Sequence, residues 1–198
     1  MLSTGSFVDE MIPFWYGGHA DFDELCKTFA PVIRSIGTLP KDPWDTSVDG
    51  KFAQLVLCDQ LSRNCFRGTK EAFAYDEKGI EFAQSIAKSC VTKEADELPG
   101  TFYGTYCTFL VTSMMHSESL SDHELGIEVL EYAKASTPDY MSDQWKNQEE
   151  YLANHKAVVD RFGRYPHRNK SLGRESTEEE QAWLDDTENL PGWARSQM

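Results

Sequence analysis

The sequence predicts an all-α fold, either a tetratricopeptide-like helical superhelix or an irregular helical bundle. Three observations predict it. Apolar residues recur at three- and four-residue spacing along most of the 198 residues, which is the period of an amphipathic helix. No stretch alternates apolar and polar residues between turn signals in the way a half-exposed strand does. Successive helix–turn–helix pairs of roughly 30–40 residues suit stacked helical hairpins. The sequence motif of a tetratricopeptide repeat is not readable, so any repeat is structural rather than sequential.

Each element follows from its own pattern. Phe22, Leu25, Cys26, Phe29, Ile33 and Ile36 place a helix over Phe22 to Ile36, with Asp21 as N-cap and Gly37 as stop. Gly37 to Pro43 reads as a loop because it holds Pro40 and Pro43. Phe52, Leu55, Val56, Asp59 and Arg63 carry a second helix through Thr46 to Cys65. A turn at Arg67–Gly68–Thr69 follows, with Thr69 capping Lys70 to Ala74. Asp76 to Cys90 forms a longer helix, and Pro99–Gly100 breaks the chain after it. Phe102 to Met115 is the most apolar stretch and reads as a central, buried helix. Ser121 and Glu124 have the spacing of a capping box for the next helix. Asp143 to Phe162 is a long helix ended by Gly163, and Ser176 opens a last short one ahead of Glu178, Glu179 and Glu180, a run expected to be solvated. One helical domain is expected over residues 8–184, with a solvated tail over 185–198 to which no function is attached.

Composition bounds the function. The 33 acids outnumber the 19 lysines and arginines, for a net charge of −14. That balance disfavours nucleic acid and anionic membrane surfaces as general partners. With 40% hydrophobic and 12% aromatic residues, the chain is globular rather than disordered. No apolar run is long enough to span a bilayer, and the first residues show no basic-then-apolar leader. The five cysteines include no CxxC pair, as expected of reduced thiols in the cytoplasm. Cys65 lies between Arg63 and Arg67, which would favour a thiolate, but it reads first as a packing residue.

Three polar stretches stand beside apolar ones. In the first, Asp59 and Arg63 are one helical turn apart and share a face, with Gln60 and Asn64 in the next row and Arg67 beyond. The second is Met114–Met115–His116–Ser117–Glu118, which sets a histidine and a carboxylate at the end of the most apolar helix; such a pair suits proton transfer. The third holds Asn154–His155 and then Arg161, Arg164, His167, Arg168, Asn169, Lys170 and Arg174, with no acid between Arg161 and Arg174. Guanidinium groups grip carboxylates and phosphates bidentately. Each stretch also has a plainer reading, as a helix-end ion pair or a helix cap. The tryptophans are spread along the chain and read as core or docking residues.

These stretches, in this order, resemble a known family. The opening Ile12–Pro13–Phe14–Trp15–Tyr16–Gly17 is similar to its start. The run from Asp59 to Thr69, with Ala72–Phe73 and Asp76, is similar to its main signature. Met115–His116–Ser117–Glu118 and Arg161 to Asn169 complete the likeness, which spans about residues 8 to 184. The family is the domain of unknown function numbered 924. The resemblance implies an all-α, tetratricopeptide-like fold, and it implies no activity, substrate or cofactor. Where the family often carries a proline before its His–Ser–Glu element, this chain has Val111–Thr112–Ser113–Met114.

Two expectations follow. In one, the three stretches converge on a small anionic ligand: Arg63, Asn64, Arg67, Arg161, Arg168 and Asn169 hold it, and Asp59, His116, Glu118, His155 and His167 handle protons. In the other, the chain is a scaffold for a protein partner, and the polar stretches lock its helices together. No cofactor is implied. Metal binding by His116, Glu118, His155 and His167 is disfavoured because no pair has ligand spacing such as HExxH.

Overall fold

The computed structural model describes residues 20–36, 44, 46–91 and 103–196. All regular structure among them is helical. The expected loop at Gly37–Pro43, the break at Pro99–Gly100 and the opening Ile12–Gly17 lie outside the described residues.

The first helical segment runs without a break through α1 (Ala20–Cys26), a 3-10 turn and α2 (Ala30–Ser35). Asp21 falls inside the first turn of α1 rather than capping it; an acid there still complements the helix dipole. Next comes α3 (Val48–Val56), which Ser47 caps by accepting from the Gly50 N–H at 3.0 Å. The helix then widens into one π turn, Leu57–Leu61, and closes as α4 (Ser62–Cys65). In the π turn the Ser62 N–H reaches back five residues to the Leu57 carbonyl. Such insertions bulge a helix and re-aim its side chains. A 3-10 turn at Lys70–Phe73 leads to α5 (Asp76–Val91). Thr69 flanks that turn without capping it; its hydroxyl donates to the Phe66 carbonyl at 2.7 Å.

The centre of the core is α6 (Tyr103–Met115), packed on α5, on α7 (Leu120–Ser136) and on the long α8 (Ser142–Phe162). Leu110, Val111 and Met114 of α6 are fully buried against Ile86, Leu130, Trp145 and Leu152. Two close approaches set this packing. A Cβ on Gly126 would come within 3.2 Å of Met114, so glycine lets α7 lie tight on α6. A Cβ on Gly79 would come equally close to Cys58 and lie 3.9 Å from Asp59. Glycine there lets α5 press on the π turn.

Two further caps depart from the sequence reading. α7 starts at Leu120 after Ser119, and Ser121 forms no capping box; its hydroxyl bonds Ser119 instead. The Ser117 hydroxyl donates to Asp122 at 2.6 Å and binds the Ser119 N–H, which ties the turn by another route. Thr177, not Ser176, caps α10 (Glu178–Asp185), in a capping box with Glu180. The expected solvation of the acidic run fails at Glu180, which is 2% exposed because Arg164 grips both its oxygens. Gly163 does end α8, at φ 70°, where a side chain would strain the backbone.

After α8, a 3-10 turn at Pro166–Arg168 runs into α9 (Asn169–Leu172), then α10, and finally α11 (Gly192–Arg195). Leu190 and Ala194 are buried. No helix among the described residues is long and apolar enough to cross a membrane. Cys26, Cys58, Cys65 and Cys107 are free thiols inside the fold. Burial pushes the Cys65 thiol up despite nearby cations, so it is a packing residue rather than an activated nucleophile.

Candidate functional site

The site is built where the π turn, the start of α5, the end of α6, the middle of α8 and the turn before α9 meet. The π turn points Asp59 and Gln60 inward, and α4 carries Arg63; all three are at most 5% exposed. Arg63 Nη1 donates to the Asp59 carbonyl at 2.7 Å and lies 3.0 Å from Asp59 Oδ1. The pairing expected from one-turn spacing is therefore present. The same guanidinium also makes a two-pronged bond to Asp76 at the start of α5, at 2.8 and 2.9 Å. Arg168 also reaches that carboxylate, at 3.3 Å from the Oδ2 that Arg63 shares, and donates to the His116 carbonyl at 2.8 Å. Its guanidinium lies between the rings of Phe73 (4.9 Å) and Tyr165 (4.5 Å). Both arginines are deeply buried, so each depends on these carboxylates for compensation.

At the end of α6, His116 sets its Nδ1 2.8 Å from Asp59 Oδ1. Burial works to raise the Asp59 carboxyl. The charge of Arg63 and hydrogen bonds from His116 and Gln60, joined by the charge of His116 whenever that ring is protonated, overcome it and hold the group below the usual carboxylate range. Burial pushes His116 down, against the pull of Asp59. The consistent state is an ionised Asp59 accepting from Nδ1–H of a neutral His116. That leaves the Nε2 lone pair available. A carboxylate that fixes a histidine tautomer in this way is the orienting device of many general bases.

Two further histidines stand beside it. The His155 ring centroid lies 6.0 Å from that of His116, and its Nδ1 is 2.7 Å from the Tyr151 carbonyl one turn back on α8. That carbonyl also fixes a proton on Nδ1. Trp193 of α11 stacks on the His155 ring at 3.8 Å. The same indole meets His167 edge-on at 5.3 Å and Tyr165 at 5.8 Å. Burial drives His155 and His167 well below the ordinary histidine range, helped by the Arg168 charge. Two buried polar atoms of this group have no hydrogen-bond partner: Nδ1 of His167 and Nε of Arg168.

The other sequence candidates lie elsewhere or are committed. Arg161 pairs with Glu179 at 2.8 Å on the surface. Arg67 ties Asp23 (2.6 Å), Asn64 and the Ser196 carbonyl together, linking the first helical segment to the last described residues. Asn64 thus spends its oxygen on Arg67, while its buried Nδ2 has no partner. Glu118 accepts from the Tyr165 N–H at 2.9 Å and from both prongs of Arg174. Asn169 bonds Ser176, Glu180 and Arg174. The structure therefore gathers Asp59, Arg63, His116, His155, His167 and Arg168, and leaves Arg67, Glu118, Arg161 and Asn169 in other contacts. Among the described residues, no group of three His, Cys, Asp or Glu side chains is placed to hold a metal ion.

Sequence reasoning missed Asp76, Tyr165 and Trp193 as members of the cluster. Asp76 is marked in the sequence only as part of the family-like run, and nothing local there shows it as the common partner of two arginines. Tyr165 sits in the basic stretch, where the arginines draw notice first. Trp193 offers no signal beyond being an aromatic ring in a polar tail.

Fold and site together define an all-helical protein with a buried histidine–carboxylate–arginine cluster among its helices. The chain belongs to the DUF924 family, described as bacterial protein of unknown function, whose pattern matches residues 7–188. A solved protein of unknown function from Agrobacterium tumefaciens has a similar fold: TM-score 0.66, 23% identity, 93% of this chain and 99% of that chain covered. No curated protein matches.

Proposed function

We propose that the cluster around His116 binds a small anionic ligand and that His116, oriented by Asp59, serves as its proton acceptor. The observation that carries this reading is unspent hydrogen-bonding capacity in a buried place. Arg168 Nε is a donor only, and it is buried without an acceptor. His167 Nδ1 is likewise without a partner. Leaving such groups unmade costs about 1–3 kcal/mol each, and native structures contain few of them. A ligand carboxylate or phosphate supplies acceptors of the right kind. The neutral His116, with its tautomer fixed by a carboxylate 2.8 Å away, supplies a base within the same cluster. Whether the chain performs a reaction on that ligand is part of the test.

The test is a thermal-shift screen of the full chain against phosphates, nucleotides, small organic acids and divalent metals, with His116→Asn and His167→Phe alongside. A ligand that binds the native state raises Tm by mass action. The expected result is one anionic class that raises the wild-type Tm and leaves both variants unmoved.

A second reading rests on a different observation. The ion pairs of Glu118 with Arg174 and of Glu180 with Arg164 are fully formed and bidentate, as expected of locks in a scaffold for a protein partner. In that case no small anion shifts Tm, and the variants change stability alone.

A further inference from the structure

We infer that the ligand of this cluster carries a hydroxyl group as well as its negative charge, making it a small hydroxylated organic acid. The inference rests on the anion-site reading above and narrows its ligand class.

The argument starts from the two histidines whose tautomers the fold fixes. His116 gives its Nδ1 proton to the Asp59 carboxylate at 2.8 Å. His155 gives its Nδ1 proton to the Tyr151 carbonyl at 2.7 Å. Both partners are acceptors only in these contacts, so each ring keeps an Nε2 lone pair, and no protein donor meets either lone pair among the described residues. The two rings are neighbours, 6.0 Å apart. Burial keeps both neutral rather than letting a second proton settle on Nε2.

A bare anion satisfies half of this site. Carboxylate and sulfate oxygens answer the donors, Arg168 Nε and the ring of His167. They offer nothing to a lone pair, and two acceptors facing each other repel. The surrounding charges do not change this, because the guanidinium groups of Arg63 and Arg168 are already matched by the carboxylates of Asp59 and Asp76. A neighbouring hydroxyl completes the set, since its O–H donates to His116 Nε2 while the acid group takes the donors. A site that hydrogen-bonds a hydroxyl discriminates strongly against the analogue that lacks it, because its own buried groups are then left unpaired.

The experiment compares matched pairs on the full chain at pH 7.5: malate against succinate, lactate against propionate, and glycerate against both, with sulfate as the anion-only probe and glycerol as the hydroxyl-only probe. Binding is read by thermal shift and by calorimetry. The expected result is at least a tenfold tighter Kd for one hydroxy acid than for its deoxy partner. Asp59→Asn should reduce that ratio to near unity by freeing the His116 tautomer, and His155→Asn, which leaves the Asp59 pair intact, should reduce it partly. Equal affinity within every pair, with sulfate binding as well, overturns the hydroxyl inference and leaves the anion site standing. If no probe binds at all, both readings fail together. Because the pairs are compared on the wild type, the result does not depend on either variant folding.

Discussion

Two polar regions of this molecule use the same residue types to opposite effect. Around Glu118 and Glu180, every carboxylate oxygen meets a donor: Arg174 and the Tyr165 N–H on one side, Arg164, Asn169 and the Thr177 N–H on the other. Around His116, the carboxylates are equally well matched, but the histidines and Arg168 keep capacity unspent. The first region closes upon itself and holds the last third of the chain to the end of α6. The second is no less buried, yet it is incomplete. Residual hydrogen-bonding capacity, rather than charge or burial, is the difference on which the proposed binding site rests.

The comparison can be broken or sharpened in order of expected effect. Asp76→Ala removes the shared partner of two deeply buried arginines. Breaking a buried pair from one side costs about 3–5 kcal/mol, so urea unfolding should show a loss of that order; a loss below ~1 kcal/mol would mean that water already solvates both guanidinium groups. Glu118→Ala strands the Tyr165 N–H and Arg174 and should cost about 1–3 kcal/mol. As a lock residue, it should leave the Kd of any anion found by the screen unchanged. A Kd change of tenfold would join the two regions into one site.

Stability should also depend on pH with a definite sign. His116, His155 and His167 are all lowered from 6.5 in the folded state. Between the folded and unfolded values the unfolded chain binds more protons, so stability is fully present above about 6.5 and falls as pH drops through that range. Asp59 acts in a separate window, from the ordinary carboxylate value of 3.8 downward, because its folded value is depressed. Tm measured from pH 8 to pH 5 should therefore decline first below pH 6.5, and His155→Phe should flatten the decline. An unchanged slope in that variant would place the titration elsewhere. The smallest effect belongs to His167→Phe. Removing an unpartnered polar ring from beside Tyr165 and Trp193 should change stability by no more than about 1 kcal/mol in either direction, while abolishing the ligand-induced shift. A large loss of stability would show that His167 has a partner in solution and belongs with the locks.

How far the sequence reached follows from the range of each interaction. Helix spacing and the Asp59–Arg63 pair are local, set by one turn of helix, and both were legible. Arg63 was correctly marked as part of a polar face, but its bond to Asp76 depends on where α5 packs, and that depends on Gly79 leaving room. The Asp59–His116 pair spans 57 positions, and only packing of α6 against the π turn brings it about. The missed caps have a local cause: Ser117, Ser119 and Ser121 offer three hydroxyls in five residues, and Asp122 selects Ser117. Arg161 and Arg168 look alike in sequence. One faces solvent at the end of α8, and the other turns inward after Pro166.

The π turn at Leu57–Leu61 sets the phase of everything after it. In a regular helix each residue advances the side chains by about 100°, so the extra residue of the π turn rotates α4 by roughly that amount relative to α3. A deletion of one residue within Leu57–Leu61 would leave both helices with their own hydrogen bonds and apolar spacing. It would nonetheless swing Arg63 away from Asp76 and turn Asp59 off His116. The chemistry of this molecule is therefore keyed to a single unit of chain length at a position where composition alone gives no sign of it.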